Sequence, residues 1–152
     1  MKTKTSWILL ALIALMAYIS SAHAEEKVIK LSFAQITPAA HPYYSAISEP
    51  WAKEIEKRTD GRVKITLYPV GTLARGNVMY SSIIDGITDI GTSSFGWEAG
   101  RHPVMDAIVF TPGFPSAEVA CKVINEAYQK FKLKELADTK VLFLHACAPM
   151  HI

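Results

Sequence analysis

The sequence predicts an α/β fold, a mostly parallel sheet with flanking helices. Two observations predict it. Short runs with the patterning of strands, such as "VIKLSFAQ" and "RVKITLY", alternate along the chain with longer segments of helical periodicity. That alternation repeats, and repeated strand–helix–strand units join parallel strands through right-handed crossovers.

The elements follow in order. Residues 28 to 35 read as a strand, and "TPAAHP" as the loop after it. Residues 43 to 60 read as a helix, with Tyr44, Ile47, Trp51 and Ile55 on one stripe. Glu49 with Lys53, and Glu54 with Arg58, are spaced to support it as i, i+4 pairs. Asp60 and Gly61 end it. Pro50 leaves two alternatives. Either the helix kinks there, or its regular part begins there, capped by Ser48 or Glu49 with Pro50 in the first turn.

Residues 62 to 68 alternate with the period of a strand, and "PVGT" is a turn. A second helix is expected over about residues 75 to 85, ending near Gly86. "TDIGTSS" then reads as a short strand, "FGWEAGRHP" as a loop or single helical turn, and "DAIVF" as a buried strand. "TPGFPS" is a breaker-rich loop that caps a helix over residues 116 to 137, and "KVLFLHA" is a last buried strand. The chain stops shortly after it, without a closing helix, so the natural protein is expected to continue.

The first 24 residues stand apart. Lys2 and Lys4 precede an apolar run from Trp7 to Ile19, followed by "SSAHA" and "EEK". This is the order of an export signal, with cleavage expected after Ala24. The run is shorter than the ~20 residues a bilayer span needs. Lys2 and Lys4 also account for the net charge of +2 of the 152-residue chain, so residues 25 to 152 are balanced. No basic surface for nucleic acid remains. The remainder reads as a soluble domain in an oxidising compartment. There Cys121 and Cys147 could pair, yet Cys121 shares an apolar helical stripe with Ala117, Ala120, Ile124, Tyr128 and Phe131. Both thiols are therefore expected to be free.

Ligands of open parallel sheets bind beyond the carboxyl ends of the strands. Gln35, Ser93, Ser94, Thr111 and the "HACAP" segment fall at such ends. Gly91 would admit the close approach of another backbone. Hydroxyls and free amides there can donate to an anion without adding charge. The alternative is that Thr92, Ser93 and Ser94 only satisfy loop backbone groups.

The succession "WAKEIEKRTDGRVKITLYPVGTL" then "DGITDIG" resembles the solute-binding proteins of tripartite ATP-independent periplasmic (TRAP) transporters, the DctP family, and "FTPGFPSAEVA" resembles one branch of it. The resemblance covers residues 28 to 152. It implies the first lobe of a two-lobed periplasmic binding fold, incomplete here, that closes on a small organic anion and delivers it to the membrane subunits of an ion-gradient-driven permease. It implies ligand contacts at Ala34 and Gln35, at Arg75 and Gly76, and at Ser93 and Ser94. The family's main carboxylate-binding arginine belongs to the second lobe. Some members carry acids where this chain has "ARGN" and Ser94. Arg75, Ser94, Phe95 and Trp97 make a less acidic, more aromatic wall, which suits a carboxylate with an apolar or aromatic body. Trp97 therefore joins Gln35, Arg75, Ser93 and Ser94 as a candidate contact. No cofactor and no catalytic residue is expected.

Two rival chemistries have sequence support of their own. "GTSSF" approaches the G-x-S-x-G elbow of α/β hydrolases around Ser93, but Phe95 stands at the last glycine, and His102 or His145 with Asp106 lacks a supporting spacing. His145, Cys147 and His151 could attract copper or zinc, but "CAPMH" is not a standard ligand spacing. His41, before Pro42, reads as a loop or cap residue.

Overall fold

The computed structural model describes residues 27–110 and 113–146. Three strands form one parallel sheet in the order β2–β1–β3, with β1 Ile29–Ala34, β2 Val63–Tyr68 and β3 Ile90–Gly91. β1 pairs with β2 over its whole length, from Ile29 opposite Val63 to Ala34 opposite Tyr68. β3 pairs with only the end of β1, Phe33 opposite Ile90 and Ala34 opposite Gly91. Among the described residues the α-helices are α1 Glu49–Arg58, α2 Met79–Ile84, α3 Pro103–Val109 and α4 Ala117–Phe131. None of the described helices is long and apolar enough to cross a membrane.

The sheet follows from the alternation. In β2, Val63, Ile65 and Leu67 are half-buried, whereas Lys64 and Thr66 are exposed. β1 is exposed at its start and buried at Phe33 and Ala34. Trp51 of α1 meets the Phe33 ring edge-on, with centroids 5.7 Å apart. This contact uses the predicted stripe of α1.

Of the two alternatives at Pro50, the second holds for the α-helix, which starts at Glu49 with Pro50 in its first turn. A π-helical turn, Tyr44–Ser48, leads into it. Ser48 does not cap; its hydroxyl donates to the Tyr43 carbonyl at 3.4 Å. Arg58 pairs with Glu54 at 2.8 Å, but Glu49 and Lys53 form no ion pair. The helix ends as expected. Asp60 and Gly61 both have positive φ, and their amides return to Lys57 and Glu56 carbonyls at 3.2 and 2.8 Å.

Two predicted strands are absent. "DAIVF" is helical, lying within or just after α3. Four consecutive apolar residues cannot distinguish strand from helix by period. Two features decide for helix: Pro103 in the first turn, and the Glu135 carboxylate, which accepts the Val104 and Met105 amides at 3.0 and 2.8 Å. "KVLFLHA" joins no sheet among the described residues. Val141 and Leu144 pack on the core, while Leu142 and Phe143 are 57% and 51% exposed. Instead of strand partners, side chains of α4 hold the segment. Asn125 Nδ2 donates to the Leu144 carbonyl at 3.0 Å, and the Ala146 amide donates to Cys121 Sγ at 3.0 Å. Cys121 is a free thiol. Cys147 lies outside the described residues, as do the leader, Thr111 and His151.

The predicted helices at 75 to 85 and 116 to 137 are both shorter than expected. The first is a 3-10 turn, Gly76–Val78, followed by α2. The second is α4, capped by the Ser116 hydroxyl, which accepts the Val119 amide at 3.2 Å. It ends at Lys132, which adopts the left-handed conformation, and a 3-10 turn, Lys134–Leu136, follows. Tyr80, Met105, Ile124 and Leu136 bring α2, α3, α4 and this turn into one core cluster. A second cluster, Ala34, Ala74 and Met79, seats α2 on the end of the sheet.

Candidate functional site

At the carboxyl end of β1 the chain passes into Gln35, and at the end of β3 into Thr92. The two ends are joined. The Thr92 amide donates to the Ala34 carbonyl at 3.1 Å, and Thr92 Oγ1 accepts the Ile36 amide at 3.2 Å. Thr92 therefore does what the plainer reading of the hydroxyl row expected. Gln35 is 0% exposed, with its backbone amide on the Tyr68 carbonyl at 2.9 Å. Its Oε1 faces Thr92 Oγ1 at 3.5 Å, and its Nε2 has no partner among the described residues. In this structure Gln35 lies beneath the strand ends.

Ser93 and Ser94 are exposed. No described side chain or backbone group hydrogen-bonds the Ser93 hydroxyl. The Ser94 hydroxyl reaches only the neighbouring Phe95 carbonyl, at 3.5 Å. The Ser94 carbonyl accepts the Trp97 amide at 3.2 Å, so residues 94 to 97 form a turn. Gly96 supplies the positive φ at its centre, and Phe110 packs against it.

Trp97 is 49% exposed, yet one part of its indole is closely packed. A Cβ placed on Gly76 would fall 2.0 Å from its Cε3 and Cζ3 atoms. The ring thus lies on the backbone of Gly76, directly after Arg75. Arg75 is exposed and has no ion-pair or hydrogen-bond partner for its guanidinium among the described residues. The fold therefore packs Trp97 on the segment that carries Arg75, about twenty residues away in sequence, through Gly76. Gly91 plays a different part from the one expected. A Cβ there would meet Met79 Sδ at 2.8 Å and Ile83 Cδ1 at 2.9 Å, so it admits side chains of α2 rather than a backbone.

Four residues outside the expected set of ligand contacts hold this region in place; of these, His102 was named only as a base in the hydrolase alternative. The Asp89 carboxylate accepts the Ser32 amide and hydroxyl, both at 2.7 Å. These bonds hold its pKa below the usual carboxylate value. Glu98 Oε1 accepts the Tyr80 amide at 2.5 Å, and Oε2 accepts the Ser81 hydroxyl at 2.9 Å. Glu135 caps α3. His102 is 5% exposed, edge-on to Tyr80 and Phe95 with centroids 4.5 and 5.4 Å away. Burial pushes its pKa down, against the opposing pull of Glu135, Asp106 and Glu98. Only Asp89 had a local signal, its place in "DGITDIG"; the other three act on partners distant in sequence.

His41 is a cap: its Nδ1 accepts the Tyr43 amide at 3.1 Å and its carbonyl accepts the Tyr44 amide at 2.9 Å. His145 stacks on Tyr43, with centroids 5.3 Å apart. No cluster of metal-ligating side chains occurs among the described residues. Two shallow hollows of about 300 and 480 Å³ flank the C-terminal part of α4, and neither is lined by any candidate contact.

Solved structures share this fold. A TRAP periplasmic solute-binding protein from Desulfovibrio salexigens DSM2638 is 33% identical, with a TM-score of 0.71 over 80% of this chain and 38% of its own. A TRAP solute-binding protein from Rhodoferax ferrireducens T118, in complex with copurified benzoate, is 25% identical, with a TM-score of 0.71 over 78% of this chain and 37% of its own. A marine metagenome TRAP solute-binding protein specific for aromatic acid ligands, in complex with 3-hydroxybenzoate, shares the fold at 24% identity and a TM-score of 0.75, over 81% of this chain and 39% of its own. The chain thus spans less than two fifths of the length of each. The sequence profile described as bacterial extracellular solute-binding protein, family 7 (DctP), matches residues 33–146. The chain belongs to that family.

Proposed function

We propose that this chain forms one wall of a periplasmic TRAP solute receptor, which captures a small organic carboxylate and passes it to an ion-gradient-driven permease in the membrane. The observation that carries the substrate class is the packing at Gly76: a half-exposed Trp97 indole rests on Gly76, the residue after Arg75, which is exposed and without a side-chain partner among the described residues. A guanidinium binds carboxylate through charge-assisted bonds, and an indole face suits an aromatic or branched body. Ser93 and Ser94 add exposed hydroxyls at the end of β3. Gln35 contributes from beneath, as a buried amide whose Nε2 is unpartnered. The aromatic acids bound by the Rhodoferax and metagenomic proteins support the same ligand class. Export with cleavage after Ala24 completes the proposal.

Calorimetric titration of the intact protein with benzoate, 3-hydroxybenzoate, succinate and a neutral sugar tests it. Binding of the aromatic acids above succinate, and none of the sugar, is expected. Preference for the sugar would overturn the carboxylate reading. Hydrolysis through Ser93 has no observation in its favour, because no described imidazole hydrogen-bonds that hydroxyl.

A further inference from the structure

One carboxylate fastens the loop bearing Trp97 to the start of α2. Glu98 accepts the Tyr80 amide and the Ser81 hydroxyl, at 2.5 and 2.9 Å, both in the first turn of α2. A helix start offers unsatisfied amides and favours negative charge, but such a cap is ordinarily supplied by the residue at the start itself. Here Val78 occupies that position and has no side chain for the purpose. The carboxylate comes instead from a residue adjoining Trp97.

The indole of Trp97 meanwhile rests on Gly76, in the 3-10 turn that runs into α2. One side chain thus ties together the two segments that carry Arg75 and Trp97. About half of Trp97 remains exposed, so its outer face is open to solvent.

We infer that Glu98 is the positioning residue that sets ligand specificity, locking the Trp97 indole on Gly76, at the segment that carries Arg75, so that carboxylates with an aromatic body are favoured over short aliphatic ones. The inference rests on the binding function proposed above. It also makes a claim that needs no ligand, namely that the Glu98 carboxylate fixes where Trp97 sits.

The test uses the full chain with Trp97 as its sole tryptophan, through Trp7→Phe and Trp51→Phe. Acrylamide quenching and the emission maximum are read for Glu98→Ala, Glu98→Gln and Thr59→Ala. Glu98→Ala is expected to raise quenching and shift emission to the red. Glu98→Gln keeps an acceptor for Tyr80 and is expected to stay at the parent values. Thr59→Ala removes the hydroxyl that joins the end of α1 to the start of β2, at the opposite end of the sheet, and should leave Trp97 unchanged. Unaltered quenching in Glu98→Ala, or an equal change in Thr59→Ala, overturns the inference. If Glu98→Ala does not fold, Glu98→Asp, one methylene shorter, decides on the same readout: a red shift supports the inference, and parent values refute it.

Affinities for benzoate and propionate form the second arm. Glu98→Ala should lower the benzoate-to-propionate ratio by about fivefold, in the range of one aromatic contact, and Glu98→Gln should restore it. If the parent binds neither acid, the proposed function fails while the fluorescence arm still decides the placement of Trp97.

Discussion

Asp89 holds Ser32 with both acceptor and donor: its carboxylate takes the Ser32 amide and hydroxyl at 2.7 Å, and its own amide donates to Ser32 Oγ at 3.0 Å. β3 is only two residues long, so these bonds extend its attachment to β1 by side chain where the backbone ladder stops. Thr88 strengthens the same join, with its hydroxyl between the Ser32 and Ile90 carbonyls at 3.3 and 2.9 Å. Since β3 leads directly into Thr92 and Ser93, the aspartate of "DGITDIG" places the candidate site without touching it.

Asp89→Asn is accordingly expected to destabilise the fold. Hydrogen bonds to a charged group contribute ~1.5–3 kcal/mol when buried; Asp89 is exposed, so solvent screening brings the expected loss to about 1 kcal/mol. The pH sign follows from the lowered pKa. The contribution is complete above the ordinary aspartate value of 3.8 and is lost as pH falls through the depressed folded value. Urea titrations at pH 7 and below pH 3.8 check it. The parent and Asp89→Asn should differ at the first pH and converge at the second.

His102 gives a second pH window, higher on the scale. It is buried neutral between Tyr80 and Phe95, and its pKa is lowered. The unfolded chain therefore takes up the proton first as pH falls. Stability is whole above the ordinary histidine value of 6.5 and declines below it, toward the folded value. His102→Phe should flatten the melting temperature between pH 6.5 and pH 5 relative to the parent. A parent whose melting temperature does not fall over that interval would contradict the burial argument.

The strands and helices with a long period were legible in the sequence, and those set by distant partners were not. β1 and β2 run for six residues each and α1 and α4 for ten and fifteen, and Asp60–Gly61 and Ser116 punctuate them locally. α3 depends on Glu135, some thirty residues away, and residues 140 to 146 depend on α4 side chains. Segments as short as "DAIVF" and "KVLFLHA" contain no record of either partner. In the site, Arg75 was named from the family resemblance and Trp97 from its residue type, but only the fold shows that Trp97 packs on Gly76. The row of hydroxyls divided in a way no pattern could have foretold: Thr92 closes the backbone, whereas Ser93 and Ser94 face solvent.

Gly91 tests the seating of α2. Its missing side chain leaves room for Met79 Sδ and Ile83 Cδ1, and Met79 is fully buried. Gly91→Ala is expected to cost about 1–3 kcal/mol by overpacking. Pairing it with Met79→Ala, which vacates the same space, should give less destabilisation than the sum of the two single changes. Strict additivity in denaturant titrations would show that the glycine is not there for this contact.

The thiols separate two pictures of the end of α4. Cys121 is free and receives the Ala146 amide at 3.0 Å, so it already has a structural partner. Thiol counting on denatured, unreduced protein should therefore find two groups, from Cys121 and Cys147. Cys121→Ala should lower the melting temperature modestly, since it removes that acceptor and some core volume. A count of zero in a monomer would mean a bridge, and residues 140 to 146 would then be held covalently rather than by Asn125 and the Cys121 thiol.

Arg75 and Trp97 should fail in different ways if they bind one ligand from two sides. Arg75 supplies charge, so Arg75→Ala ought to weaken every carboxylate, by about 1.5–3 kcal/mol for a charge-assisted bond. Trp97 supplies a surface, so Trp97→Ala ought to weaken benzoate by about 0.5–1.5 kcal/mol more than propionate. Both side chains are at least half exposed or unpaired, and neither belongs to a core cluster, so neither change should unfold the chain. Titration calorimetry of the intact protein with the two acids gives the four numbers needed. The decisive pattern is a loss common to both ligands for Arg75→Ala and confined to benzoate for Trp97→Ala. Equal losses in the two variants would mean that Trp97 merely supports the Arg75 segment through Gly76, and that the aromatic preference lies elsewhere.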